Sequence, residues 1–313
     1  MSHNINSMFY YGEKPWHKLG TEVSEAQTSA QAIVAAGLDW KVDKVQLIRS
    51  DNSAPVNNFA TVRSDNKDTL GVVGHVYEPL QNNGAFSFFD AIVGEKAAIY
   101  HTAGSLGKGE AVWMLAKLPG YIRTVGDDVS EKYLLLTNRH DGRGAVSVMF
   151  TPIRVVCQNT LNIALAGAER KFHAKHTSNL GNKIRDVREY LGLIDAKTAL
   201  FEDATRRLAT VQLTRDAWES YIKKSGLIPP EVVGEKMSTR AYNIMEDVSR
   251  LFEHGKGQDM PGARHTAWGA FNAVVEYVDY QRATKEGKRA ESLLFGSGAN
   301  IKQTAWDNAL ALV

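Results

Sequence analysis

The feature that most constrains this chain is a change of texture at Pro152. Before it, short runs of β-branched and aromatic residues alternate with turn-forming clusters, as in strands; beyond it such runs vanish and apolar residues recur at helical spacing. A chain of 313 residues is long enough to bury one large core or two moderate ones. The expected fold class is α+β, with an antiparallel sheet and helices in the N-terminal half followed by a mainly α-helical C-terminal half. The boundaries predicted are 1–167 for an α+β domain on a curved antiparallel sheet, 168–182 for a basic connection and 183–313 for a helical domain.

In the first half, the small apolar residues from Ser29 to Ala36 suit a short helix ended by Gly37. Extended runs follow at Trp40 to Leu47, Phe59 to Val62 and Leu70 to Val76, and their short connections predict antiparallel pairing. Asn82 to Val93 sets Phe86, Phe89 and Val93 at helical spacing. Further strands are predicted at Ile99 to Ala103, Ala111 to Leu118, Tyr133 to Thr137 and Ala145 to Phe150, with Asp141-Gly142 as a tight turn between the last two. Asn159 to Ala166 reads as a helix entered directly from a strand that carries Ile153, Val155 and Val156.

In the second half, Ile184, Val187, Leu191, Ile194, Phe201 and Leu208 follow alternating steps of three and four, with Thr198 and Thr205 at the missing places, which predicts an amphipathic helix. Helices are also expected at Arg215 to Lys224, Ser238 to His254, Thr266 to Ala283 and Ile301 to Leu312. Trp268, Phe271, Val275 and Val278 share one face and read as core, which obliges Asn272 beside them to find a hydrogen-bond partner, such as a backbone group of a neighbouring helix.

Composition narrows the setting. The single cysteine, Cys157, cannot close an intramolecular disulfide, the start of the chain lacks the basic and apolar segments of a signal peptide, and no apolar run approaches the roughly 20 residues that span a bilayer. The expectation is a soluble cytoplasmic protein with no membrane partner. A formal net charge of +2 requires that any attraction to nucleic acid come from local clusters. The clearest lies between Glu169 and Glu189, where Arg170, Lys171, Lys175, Lys183, Arg185 and Arg188 outnumber the acids. Phe172 is placed there to stack on a base, with a solvated linker as the alternative reading.

Five segments carry a family resemblance: Pro15-Trp16-His17-Lys18-Leu19-Gly20, the stretch from Val73-Gly74 to Gln81-Asn82, Asn138-Arg139-His140-Asp141-Gly142, Arg154 to Leu165 and Thr266-Ala267-Trp268-Gly269-Ala270-Phe271-Asn272-Ala273. In order and spacing the chain resembles the phage/plasmid-like family, domain of unknown function 932. The resemblance implies a soluble intracellular protein of a mobile genetic element in a bacterial host, and carries no known reaction with it. The order of elements is also similar to that of phage single-strand annealing proteins, which form rings that hold DNA in a groove, a likeness of fold alone.

A helix start after Arg154 is a natural phosphate site, with Asn159 and Thr160 donating from their side chains; the competing reading is a cap that fastens helix to sheet. Lys108, in the Gly104 to Gly109 loop, and Arg139 are candidates for the same surface. That loop lacks the Ser or Thr a Walker motif requires after its lysine. Cys157 has no base patterned around it and reads as a buried structural residue. His173 and His176 have helical spacing for a metal but no third ligand nearby, so no metal and no cofactor are predicted. No catalytic set assembles. The functional expectation is a non-catalytic protein that binds or anneals single-stranded DNA as a homo-oligomer through Lys108, Arg139, Arg154, Asn159, Thr160, Arg170, Lys171, Phe172 and Lys175. The alternative is an interaction protein that acts on a host factor.

Overall fold

The computed structural model describes residues 5–12, 20–93, 99–154, 159–160, 172–174, 176, 196–229, 237–285 and 288–313. The fold is α+β, with strands mostly in the N-terminal half and helices mainly in the C-terminal half. The strands are β1 (Ile5–Tyr11), β2 (Thr21–Val23), β3 (Val42–Ile48), β4 (Pro55–Arg63), β5 (Thr69–Gly74), β6 (Ile99–Leu106), β7 (Ala111–Arg123), β8 (Val129–Arg139), β9 (Val146–Arg154), β10 (Asn159–Thr160) and β11 (Phe172–Ala174). The helices are α1 (Ser29–Ala35), α2 (Asn82–Val93), α3 (described from 196 to 208), α4 (Arg215–Lys224), α5 (Thr239–His254), α6 (Ala267–Glu276), α7 (Arg289–Phe295) and α8 (Ser297–Leu310).

The strands β3, β4 and β5 form an antiparallel sheet in the order of the chain, as their short connections require. The larger sheet runs β10-β9-β8-β7-β6-β1-β2, with β11 also on β9. Four of its strands, β1, β2, β10 and β11, escaped the sequence pattern. β1 has Asn6 and Ser7 among its apolar residues and so lacks a clean alternation; it pairs antiparallel with β6 and parallel with the three-residue β2.

By contact the chain divides into two compact units. The first comprises Met1–Pro119, Tyr133–Phe150 and Lys171–Ile194; the second comprises Gly120–Lys132, Thr151–Arg170 and Asp195–Val313. Within the first, Thr28 and Gln31 form a reciprocal capping box that starts α1, and α2 buries Phe86 and Phe89 as their spacing predicts. Three strands end in the same device. Arg49, Arg63 and Arg139 stand at or just past the ends of β3, β4 and β8, and each bonds the aspartate two residues on, Asp51, Asp65 or Asp141.

In the second unit α6 is buried on every side, so its face-by-face pattern in the sequence understates its centrality. Trp306 lies 5.5 Å from Phe201 and 5.1 Å from Phe271, and Trp218 stacks on Phe252 at 4.2 Å. Truncating one such aromatic typically costs about 3–5 kcal/mol. The helix predicted from Thr266 to Ala283 is interrupted: α6 passes into a π-helical turn, Tyr277–Gln281. The wider turn carries Asp279, whose carboxylate receives the fully buried Lys302 ammonium at 2.9 Å. Asn272 finds a partner in its own helix, donating to the Trp268 carbonyl at 2.9 Å. The amphipathic run is helical over 196–208; its earlier part lies outside the described residues.

Candidate functional site

The nine predicted contact residues divide between the two units. Lys108 and Arg139 belong to the first. Lys108 is exposed and pairs with Asp68 at 3.4 Å, while its carbonyl accepts from Arg63 at 2.8 Å. Arg139 is mostly buried and holds Asp141. The two are connected through backbone: the His140 N–H donates to the Glu110 carbonyl at 2.8 Å, and the Glu110 carboxylate receives the Lys108 N–H. Burial pushes the Asp141 carboxyl up, but Arg139 and the Arg143 N–H outweigh it and hold the group below the usual carboxylate range.

Where the sequence led to the expectation of a helix start, Asn159 and Thr160 are in a strand, and the rest of the expected helix, 161–166, lies outside the described residues. Asn159 pairs with Arg154 and Thr160 with Ile153, antiparallel, so these two residues form β10. A strand pair engages peptide groups that a helix N-terminus leaves free, and with it goes the reason for expecting phosphate among the free N–H groups there. Phe172 lies in β11 on the edge of β9. Arg170, Lys171 and Lys175, like Cys157, lie outside the described residues.

The second unit contains a cavity of about 580 Å³ that sequence reasoning missed. Its lining includes Ser238, Arg240 and Asn243 at the start of α5, Tyr277 and Arg282 about the π turn, and the apolar Leu227, Ile244 and Ile301. Ser238 is the N-cap of α5, accepting from the Ala241 N–H at 3.2 Å. The first turn then carries no acid and one cation, Arg240. That is the unfavourable sign, since a helix N-terminus carries about half a positive charge of its own.

Arg282 donates to the hydroxyls of Ser292 at 3.4 Å and Ser297 at 3.1 Å. Among the described residues neither Arg240 nor Arg282 makes an ion pair with a carboxylate. Burial, and then the like charges of Arg240 and Arg289, lower the pKa of Arg282. The Tyr277 hydroxyl is held neutral, raised first by burial and then by Asp247, with the two arginines opposing. Asp247, the one carboxylate on the wall, bonds Arg250 at 2.9 Å. An uncompensated pair of guanidiniums beside a helix N-terminus suits a phosphate or similar oxyanion, and the apolar wall suits whatever that anion is attached to.

A family model described as a domain of unknown function, DUF932, matches residues 69–294. The chain belongs to that family. The DUF932 span includes the Asn138 to Gly142 turn, Arg240 and Arg282, and ends before α8. No curated protein and no solved structure matches the chain. Among the described residues of this DUF932 chain, no helix is long and apolar enough to cross a membrane.

The signal that could have revealed the cavity is weak: an arginine in the first turn of a capped helix, with no acid beside it. The recurrent Arg-x-Asp triplets were open to reading, and they would have assigned Arg139 to a turn before a ligand.

Proposed function

We propose that this protein holds single-stranded nucleic acid through phosphate contacts, without catalysis, in the service of a phage, prophage or plasmid within a bacterial cytoplasm. The observation that carries the reading is the cavity of the second unit, lined by Arg240 in the first turn of α5 and by Arg282 just past the π turn, neither of them in an ion pair with a carboxylate among the described residues. The two guanidiniums would take a phosphate, and Tyr277, Leu227, Ile244 and Ile301 offer a base or sugar an apolar wall. The basic residues Arg170, Lys171 and Lys175 and the exposed Lys108 add attraction that depends on salt. Self-association as a homo-oligomer belongs to the same reading, since single strands reward repeated contacts along their length.

A titration of a fluorescent single-stranded oligonucleotide at low ionic strength tests it. Binding that weakens as salt rises is expected, and Arg240→Gln with Arg282→Gln lowers affinity about tenfold or more. No binding to the wild-type chain sinks the reading.

The alternative, an interaction protein acting on a host factor, draws on the three-stranded sheet. Val45 and Val72 are exposed there on either side of Ala60. Co-purification of one stoichiometric host protein, with no nucleic acid, favours it.

A further inference from the structure

Among the buried side-chain atoms of the first unit that lack a hydrogen-bond partner are three acceptors, Asn138 Oδ1, His140 Nδ1 and His176 Nε2. Their side chains are anchored at alternate positions of one short segment. His176 bonds at Glu78, Asn138 donates from Nδ2 to the Leu80 carbonyl at 2.9 Å, and His140 Nε2 meets Asn82 Oδ1 at 3.0 Å. Asn138 and His140 are fully buried and His176 is 5 % exposed.

The hydrogen bonds fix what each orphan atom is. Asn82 Nδ2 faces the carbonyls of Leu38 and Trp40, so its Oδ1 faces His140 and the proton must sit on His140 Nε2. His140 Nδ1 is therefore a lone pair. His176 Nδ1 lies 3.2 Å from the Glu78 carbonyl oxygen, which can only accept, and 3.4 Å from the Leu80 N–H, which can only donate; the shorter contact puts the proton on Nδ1, at the expense of the longer one from Leu80. His176 Nε2 is then a lone pair too. The Leu80 carbonyl takes the Asn138 amide protons, which leaves Asn138 Oδ1 as the third.

Three lone pairs and no donor is an expensive set to bury. A single water donates only twice, whereas a cation satisfies all three. Each imidazole also has the support that metal-bound histidines show, its second nitrogen donating to a carbonyl oxygen, from a side-chain amide for His140 and from the backbone for His176. Asn138 and His176 both reach Leu80, at its carbonyl oxygen and its nitrogen, and His140 reaches Asn82 two residues on. The Tyr77 ring stacks on His176 at 4.7 Å and its hydroxyl donates to the Arg139 carbonyl, while the Trp40 ring meets His140 edge-on at 5.5 Å. Both rings are held in place from outside.

We propose that His140 Nδ1, His176 Nε2 and Asn138 Oδ1 bind one divalent transition-metal ion of the Zn²⁺ class. Two neutral imidazoles and an amide oxygen suit a borderline ion better than Mg²⁺ or Ca²⁺, which prefer oxygen throughout. Among the described residues no group of three or more His, Cys, Asp or Glu gathers around a point, so the remaining position falls to water. The ion would tie the turn after β8 to the segment that leads into α2.

The test uses the full chain, stripped with EDTA and dialysed, then titrated with CoCl₂ and with ZnCl₂. One equivalent of each is expected per chain, with visible Co²⁺ absorption, and His140→Gln or His176→Gln each weakens Co²⁺ binding about tenfold to a hundredfold. A second measurement requires no variant: imidazole ¹⁵N shifts of the wild-type chain should move on Zn²⁺ addition at His140 Nδ1 and His176 Nε2. The proposal is overturned by the absence of stoichiometric uptake, by uptake that neither substitution weakens, or by imidazole shifts that Zn²⁺ leaves in place.

Discussion

Each of the two compact units carries a cluster of unmatched polar groups, and the two clusters differ in kind. In the first, Arg63 and Arg139 each meet a carboxylate two residues along, and what remains unpaired is a set of neutral acceptors on Asn138, His140 and His176. In the second, a lysine is buried against its aspartate at the centre, and the cavity carries two guanidiniums, Arg240 and Arg282, that make no ion pair with a carboxylate among the described residues. Unmatched acceptors ask for a cation and unmatched cations for an anion. Both proposals therefore rest on one criterion, what the surroundings of a group fail to satisfy.

Acid gives the largest way to break the first unit's side of this contrast. Burial, and then the neighbouring His176, push the pKa of His140 down to about 3 from an ordinary 6.5. The unfolded chain therefore binds the extra proton first. Stability is complete above pH 6.5 and falls as pH drops toward 3, by about 5 kcal/mol for this residue. Urea unfolding of EDTA-treated protein across that range should show the loss, and a flat profile would contradict the buried, neutral His140.

In the second unit, Asp279→Ala removes the carboxylate that the fully buried Lys302 ammonium faces and should cost about 3–5 kcal/mol, read as a fall in the urea midpoint. Asp141→Asn is the matching change in the first unit. Arg139 retains some access to solvent, so a smaller loss of about 1.5–3 kcal/mol is expected by the same measurement. Equal losses would erase the distinction between a buried pair at a core and one at a turn. Thr28→Ala removes the N-cap of α1 and should cost about 1 kcal/mol.

The sequence was informative where a rule acts over a few residues. The strands β3 to β5, the turn at Asp141-Gly142, the helix that buries Phe86 and Phe89, and the helices starting at Arg215 and Thr239 all follow from alternation, spacing and capping. It was silent where the deciding contact is distant. Asn159 and Thr160 have the side chains of a cap, yet they pair with Ile153 and Arg154, because a neighbouring strand offers every peptide group a partner. Arg139 looked available for a ligand until Asp141 was seen to hold it. The cavity unites residues from Gly226 to Ile301, a span over which no periodicity or motif operates.

The orphan acceptors teach the same lesson more sharply. His173 and His176 attracted attention as a helical pair, but His173 belongs to a strand, and His176 is anchored on the Glu78 to Leu80 segment, 98 positions away in sequence at the nearer bond. Only the folded chain puts Asn138, His140 and His176 on one segment.

The central claim is that the cavity of the second unit binds phosphate of a single strand. The most direct measurement is the salt dependence of oligonucleotide affinity for the wild-type chain and for the Arg240→Gln, Arg282→Gln double variant. Loss of two phosphate-facing cations predicts binding weakened about tenfold or more and a plot of log affinity against log salt that is shallower by about 1 to 2. An unchanged slope and affinity in a variant that unfolds at the wild-type urea midpoint would contradict the account.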